Sequence, residues 1–212
     1  MAEHTAGAQL YVGIDIAAAT FTAEIKFALR TLLRQPQTGG DPIEALRALN
    51  RYMTDSQRLD GKATDIFVCV VAAVLDPASG YVMLGLAGME PPLVLRAGTD
   101  ETETIALGGT MLGMSPEWHG DAVSFRLNPG DLLLLFSDGL TEVRREGERF
   151  DFFGPDGVAR AAREALTRSA TLPAVGRAIV EAARSFGGRP VSDDVCLLLT
   201  RLKAPTLTLP QV

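Results

Sequence analysis

Two cysteines and two histidines in 212 residues leave few routes to a disulfide scaffold or a histidine-centred site. Cys69 and Cys196 stand in separate apolar, strand-like runs without a CxxC spacing. They read as buried, reduced thiols rather than a disulfide or a metal pair, which points to a reducing compartment. His4 lies near one end and His119 in a loop containing glycine and proline, so a solvated histidine is the plainer reading than a general acid. The single tryptophan, Trp118, reads as a packing anchor. No basic stripe interrupts a chain of net charge -6, which argues against a nucleic-acid surface. No apolar segment approaches the roughly 20 residues that cross a bilayer, and no basic-then-apolar leader opens the chain. The expectation is a cytoplasmic chain with no membrane and no nucleic-acid partner.

No internal repeat or linker divides the sequence, and 47% hydrophobic content can fill one core. Residues 1–202 therefore read as a single domain, and residues 203–212, with two prolines, as a loose tail. Residues 10–16 read as a strand, followed by Phe21, Ile25, Ala28, Leu29 and Leu32 at helical spacing. Asp41-Pro42-Ile43-Glu44 is a helix start, with Asp as cap and Pro at the first position, and the helix should run to about Met53. Residues 66–76 and 81–86 flank Asp76-Pro77-Ala78-Ser79-Gly80 and predict a hairpin. Further strands are expected over 93–96, 103–106, 122–127 and 195–202, and helices over 158–169 and 172–185. Two helices, many antiparallel strands, two helices and a strand imply an α+β fold: two stacked sheets with helices outside.

The chemistry concentrates where apolar runs break at acids. Residues 132–136 are five consecutive apolar residues, the pattern of a strand buried on both faces, and the run ends at Ser137-Asp138-Gly139. Asp193-Asp194 immediately precedes the run 195–199, and Asp15 interrupts the run 10–16. Each aspartate taken singly is a turn or cap residue. Three strand-associated carboxylates brought together by folding suit one hard-cation site, because magnesium and manganese prefer oxygen ligands.

The segment from Gly130-Asp131 through Ser137-Asp138-Gly139 to Glu142 resembles the SpoIIE/RsbU-type branch of the PP2C (PPM) metal-dependent serine/threonine phosphatases. Ala87-Gly88-Met89-Glu90-Pro91-Pro92 is similar to the family's alanine-glycine-histidine-proline-proline segment, and Asp193-Asp194-Val195-Cys196 to its closing acidic pair. Asp15 fits its aspartate-valine-serine-glycine motif, so the resemblance spans about residues 10–202. It implies a PP2C-like α-β-β-α sandwich of two mainly antiparallel sheets flanked by helices. It implies Mn2+ or Mg2+ held by Asp15, Asp138 and Asp193, with Ile16 contributing its carbonyl, and Asp194 beside the ligands rather than among them. No catalytic side chain is implied beyond metal-activated water. The implied reaction is dephosphorylation of phosphoserine or phosphothreonine on a bacterial regulatory protein, such as an anti-sigma-factor antagonist.

The departures from that pattern carry equal information. The family's upstream glycine-glycine-aspartate motif has no counterpart, since Glu3 is the sole carboxylate among the fourteen residues before Asp15. Ile16-Ala17-Ala18-Ala19-Thr20 replaces its glycine-containing turn, and Met89 and Cys69 stand where histidine and threonine are usual. Weak or partial metal occupancy is the expectation. The alternative function is a catalytically degenerate PP2C-like domain serving as a partner-binding or regulatory module. Arg144, Arg145 and Arg149 are placed to steer a phosphopeptide, although a solvated charged flank is the plainer reading. Oligomeric state leaves no trace in the sequence. The cysteine reading predicts that reductant leaves the thermal midpoint unchanged, checked by calorimetry with intact-mass measurement; a bridged mass and a lowered midpoint would contradict it.

Overall fold

The computed structural model describes residues 9–15, 19–35, 40–60, 66–168, 171–188 and 194–203. Four strands form one antiparallel sheet in the order β1-β2-β3-β6: β1 (Gln9–Asp15), β2 (Cys69–Leu75), β3 (Tyr81–Ala87) and β6 (Ala122–Arg126). A second antiparallel sheet has the order β5-β4-β7-β8, from β4 (Leu93–Leu95), β5 (Thr102–Thr104), β7 (Leu132–Phe136) and β8 (Leu197–Arg201). Helices α1 (Ala19–Leu32) and α2 (Pro42–Asp60) pack on the first sheet, and α4 (Gly154–Arg168) and α5 (Leu172–Gly187) on the second. The layers are α-β-β-α, the expected architecture.

Alternation along each strand assigns residues to layers. In β2, Val70 and Ala72 face the α1/α2 layer, while Val71, Ala73 and Leu75 face the other sheet. In β7, Leu132, Leu134 and Phe136 face α4 and α5, and Leu133 and Leu135 face the first sheet. Both faces of β7 are covered, so all five residues are buried; each such side chain stabilises the fold by about 1.5–3 kcal/mol. Gly85 in β3 lets α2 come close, since a Cβ there would lie 3.1 Å from Ile43 Cδ1 and Leu46 Cδ1. The Asp41 carboxylate accepts the Ile43 amide at 2.8 Å, as the helix-start reading required.

Several boundaries differ from the sequence reading. Helix α2 continues to Asp60, well past Met53, because its polar last turns hold the helix without an apolar stripe. There Thr54 Oγ1 donates to the Asn50 carbonyl and Gln57 Nε2 to that of Ile66. The β2 ladder begins only at Cys69; Val68 instead bridges Leu112. Helix α4 starts at Gly154, four residues before Val158, because a Gly-Pro-Asp-Gly first turn hides its start from a periodicity reading. A four-residue helix, α3 (Asp138–Thr141), was not anticipated. Cys69 and Cys196 form no disulfide, but both are half-buried rather than buried, because each stands at a strand end. The tail reading for 203–212 falls, except for Lys203, outside the described residues.

Asp131 was legible in the sequence only as part of a turn, yet it holds four segments together. Its side chain is 2% exposed. It accepts the amides of Ala97 (2.8 Å) and Asn128 (2.9 Å) and Nη1 of Arg96 (2.8 Å). Arg96 also donates to the Arg126 carbonyl at 3.0 Å and pairs with Glu103, joining β5 and β6 to the start of β7. Burial alone would raise the Asp131 pKa, but the Ala97 and Asn128 amides and the Arg96 guanidinium outweigh it and hold the carboxyl below its ordinary value. A folded pKa depressed below the unfolded one gives stability that is present above the unfolded value, about 3.9, and is lost as pH falls below it. Asp131→Ala should cost about 3 kcal/mol in denaturant unfolding at neutral pH. Asp131→Asn should flatten the acid limb of stability against pH below about pH 4.

Candidate metal centre

The candidate site lies at one end of the sandwich, where the strand ends of both sheets meet. In the first sheet Asp15, the last residue of β1, pairs with Cys69, the first of β2, and Ala87 at the end of β3 lies opposite Val70. In the second sheet Phe136, the last residue of β7, pairs with Leu197, and Leu93 at the start of β4 pairs with Leu134. Five residues, Gly88-Met89-Glu90-Pro91-Pro92, join the end of β3 to the start of β4 and therefore bridge the two sheets at this end. The backbone of Asp15 and the residue Asp138 share it.

Ser137 is the clamp of the second sheet. It is 1% exposed and precedes α3 with extended backbone angles (φ -91°, ψ 165°), the geometry of a helix cap. Its hydroxyl does not cap the helix. It accepts the Cys196 amide at 3.0 Å and donates to the Asp194 carbonyl at 3.2 Å, while the Ser137 amide donates to the Cys196 carbonyl at 3.0 Å. These three bonds fasten residues 194–196 beside Asp138. Asp138 itself is exposed at the first position of α3, with Gly139, Leu140 and Thr141 buried behind it. A carboxylate at a helix start is favoured by the helix dipole, and exposure leaves its oxygens accessible to a cation.

Thr141 lies three residues after Asp138, on the same helix face. Its hydroxyl hydrogen-bonds the Glu90 carboxylate at 3.1 Å and the Asp138 carbonyl at 3.3 Å. Glu90, half-buried, thus ties the bridging loop to the helix that carries Asp138. In the sequence Glu90 is only a lone acid between Met89 and Pro91, with no signal of this role. Gly88 adopts φ 68°, and a Cβ there would lie 2.5 Å from Met111 Cγ and 2.9 Å from Cys69 Sγ, so the loop turns with no room for a side chain. Met89, 8% exposed, fills the space between the sheets.

The remaining sequence candidates divide. For Asp15 only the backbone is described; Ile16 and Asp193 lie outside the described residues. Asp194 is exposed, with its carbonyl on Ser137. Among the described residues no three ligating side chains gather into a metal cluster. His119 is exposed, and Trp118 is buried with its indole N–H donating to the Thr110 carbonyl at 2.7 Å. The three arginines are engaged within their own loop and with α5. Arg145 pairs with Asp151 at 2.5 Å and lies over Phe186; Arg144 lies over Phe152 and Arg149 over Phe150. No helix among the described residues is long and apolar enough to cross a membrane.

Two antiparallel sheets stacked between helix pairs, with acids at one end, define the fold of the PP2C-type phosphatases. The PPM Ser-Thr phosphatase MsPP of Mycobacterium smegmatis superposes with a TM-score of 0.65 at 19% identity, over 91% of this chain and 88% of that one. The chain belongs to the SpoIIE family, described as Stage II sporulation protein E, whose pattern matches residues 11–203. It is 30% identical over 135 residues to the phosphoserine phosphatase RsbU of Bacillus subtilis (strain 168), covering 64% of this chain but only 38% of that protein. The structure of the RsbU and RsbW domains of a Mycobacterium tuberculosis protein superposes with a TM-score of 0.72 at 24% identity, over 97% of this chain and 58% of that one. The PP2C domain of Bacillus subtilis SpoIIE gives 0.71 at 18% identity, over 94% and 55%.

Removing the Ser137 hydroxyl leaves the Cys196 amide without its acceptor. Ser137→Ala should cost about 1–3 kcal/mol and speed amide hydrogen exchange at residues 194–196 while leaving β2 and β3 unchanged, measured by mass spectrometry. Equal acceleration across both sheets would show that Ser137 does not act locally.

Proposed function

We propose that residues 1–202 form a single metal-dependent phosphoserine/phosphothreonine phosphatase domain, acting in the cytoplasm on a bacterial regulatory phosphoprotein such as an anti-sigma-factor antagonist. The observation that carries this reading is the Ser137 clamp, which fixes the residue following Asp193 beside the exposed Asp138. Family membership and the 30% identity to a phosphoserine phosphatase support the same chemistry.

The donor set fits a hard cation. Asp138, Asp193 and Asp15 offer carboxylate oxygens and Ile16 a carbonyl, with neither imidazole nor thiolate among them. Bound Mn2+ or Mg2+ supplies positive charge that offsets the phosphoryl oxygens and lowers the pKa of attacking water. The chain's own contribution is positional. Ser137 and Thr141 hold the segments that carry the carboxylates, and α3 presents Asp138 at its start.

A second reading, a degenerate domain that binds its partner without turnover, is favoured by a specific observation. Ile16-Ala17-Ala18-Ala19-Thr20 replaces the family's glycine-containing turn after Asp15, which removes the backbone freedom that lets a loop approach a metal closely. Weak or partial occupancy follows in either reading.

Activity on an aryl phosphate should be low, should require added manganese or magnesium, and should fall about a hundredfold or more in Asp138→Asn, the scale of losing one preorganised electrostatic contact. Absence of turnover above the Asp138→Asn background with a phosphoprotein and saturating manganese, together with no binding heat in metal titration calorimetry, would replace the enzyme reading with the binding-module one.

A further inference from the structure

Beyond α3 the chain forms a short two-stranded arm. The Phe153 amide donates to the Val143 carbonyl at 2.8 Å, Arg144 and Phe152 form an antiparallel bridge, and the Arg145 amide donates to the Asp151 carbonyl at 3.0 Å. The Glu148 amide closes the tip on the Arg145 carbonyl at 3.1 Å, with Gly147 at φ 81°. Because side chains alternate along paired strands, the arm has two unlike faces. The Arg145–Asp151 ion pair belongs to one, and the Arg145 guanidinium lies 4.3 Å from the centroid of the Phe186 ring, so this face rests on α5. Arg144, Phe150 and Phe152 belong to the other.

That outer face is aromatic, cationic and open to solvent. Phe150 is 81% exposed and Phe152 40%, although burying a phenyl ring is favourable. Arg149 lies over the Phe150 ring at 5.4 Å and Arg144 over that of Phe152 at 5.0 Å. Among the described residues neither of these arginines forms an ion pair. A guanidinium set over a ring keeps N–H groups that fit a carboxylate in two parallel hydrogen bonds. The Glu146 carboxylate turns towards the end of α5, its Oε2 3.2 Å from where a Gly188 Cβ would stand, which leaves exposed Glu148 as the acid at the tip.

We propose that this face docks the phosphoprotein substrate through an acidic segment that carries an apolar residue and lies beside the phosphorylated position. The inference rests on the phosphatase reading of the Asp138 site and names what that site selects. Arg144 follows Asp138 by six residues, which span no more than about 20 Å even when extended. A substrate segment of about the same length therefore reaches from a phosphate at the Asp138 site to the arm. Charge complementarity selects the occupant. Two guanidiniums against the Glu148 carboxylate call for acid, and the exposed phenyl rings between them call for an apolar side chain among the acids. On a chain of net charge -6 the cationic patch is local, so it discriminates among protein segments rather than drawing in nucleic acid.

The test compares hydrolysis, by the full chain with manganese, of a phosphoserine peptide flanked by aspartates and a leucine, of its lysine-flanked counterpart, and of p-nitrophenyl phosphate, which is too small to reach the arm. The aspartate peptide should exceed the lysine peptide in kcat/KM by about tenfold, mainly through KM. Arg144→Gln with Arg149→Gln should bring that ratio near one, Glu148→Gln should enlarge it, and Phe150→Ala should weaken only peptides that keep the leucine. All four positions are exposed, so these substitutions leave the core intact. Fluorescence anisotropy with the unphosphorylated aspartate and lysine peptides reads docking without turnover. Hydrolysis of p-nitrophenyl phosphate with no difference between the peptides, or a difference that survives in the double arginine variant, would overturn the docking surface and leave the phosphatase reading standing. If none of the three substrates is hydrolysed, the phosphatase reading falls instead, and equal anisotropy for the two peptides would overturn the docking surface by itself. A dimer in native mass measurements that Phe150→Ala dissociates would overturn it in favour of contact between two copies.

Discussion

The structure hangs on one constraint: β7 is covered on both faces. Five apolar residues in succession cannot leave a face to water, so helices α4 and α5 must lie on one side and the first sheet on the other. That requirement fixes the layer order. It also fixes where polarity returns, because the residues after the run are Ser137, still buried with its hydroxyl turned to residues 194 and 196, and Asp138, the first to be exposed. The acid end of the sandwich is thus a consequence of where a buried strand stops.

Two polar knots frame that strand. At its start, Asp131 takes three donors and gathers β4, β5 and the end of β6 through Arg96; at its finish, Ser137 holds residues 194–196. The two knots work by different balances. Asp131 offsets the cost of burying a charge with a guanidinium and two amides, whereas Ser137 satisfies backbone groups at a break between ladders with a neutral hydroxyl. The second is the gentler interaction and the one nearer the chemistry.

The layer architecture was legible because it rests on local patterns. Period-two alternation, a run of five apolar residues, the Asp41 cap and the turn cluster after Asp76 each report on a few neighbours in sequence. Boundaries failed where local signals fell silent. The polar end of α2, the Gly-Pro-Asp-Gly turn that begins α4 and the four-residue α3 carry no apolar period to read. The cysteines were read as buried because their neighbours are apolar, but a strand end is exposed regardless of the residues beside it.

The sequence by itself determined the two-sheet sandwich, the acids at strand ends and the family pattern across residues 11–203, since these follow from hydrophobic periodicity and short motifs. Only tertiary structure decided that Ser137 spends its hydroxyl on residues 194 and 196 and that Glu90 reaches Thr141. Those partners are separated by 51 to 59 positions where they are hydrogen-bonded side chains, and no local pattern encodes them. The reason is physical: burial preference is a property of single residues and their near neighbours, whereas a hydrogen bond between distant segments exists only after packing has brought them within about 3 Å.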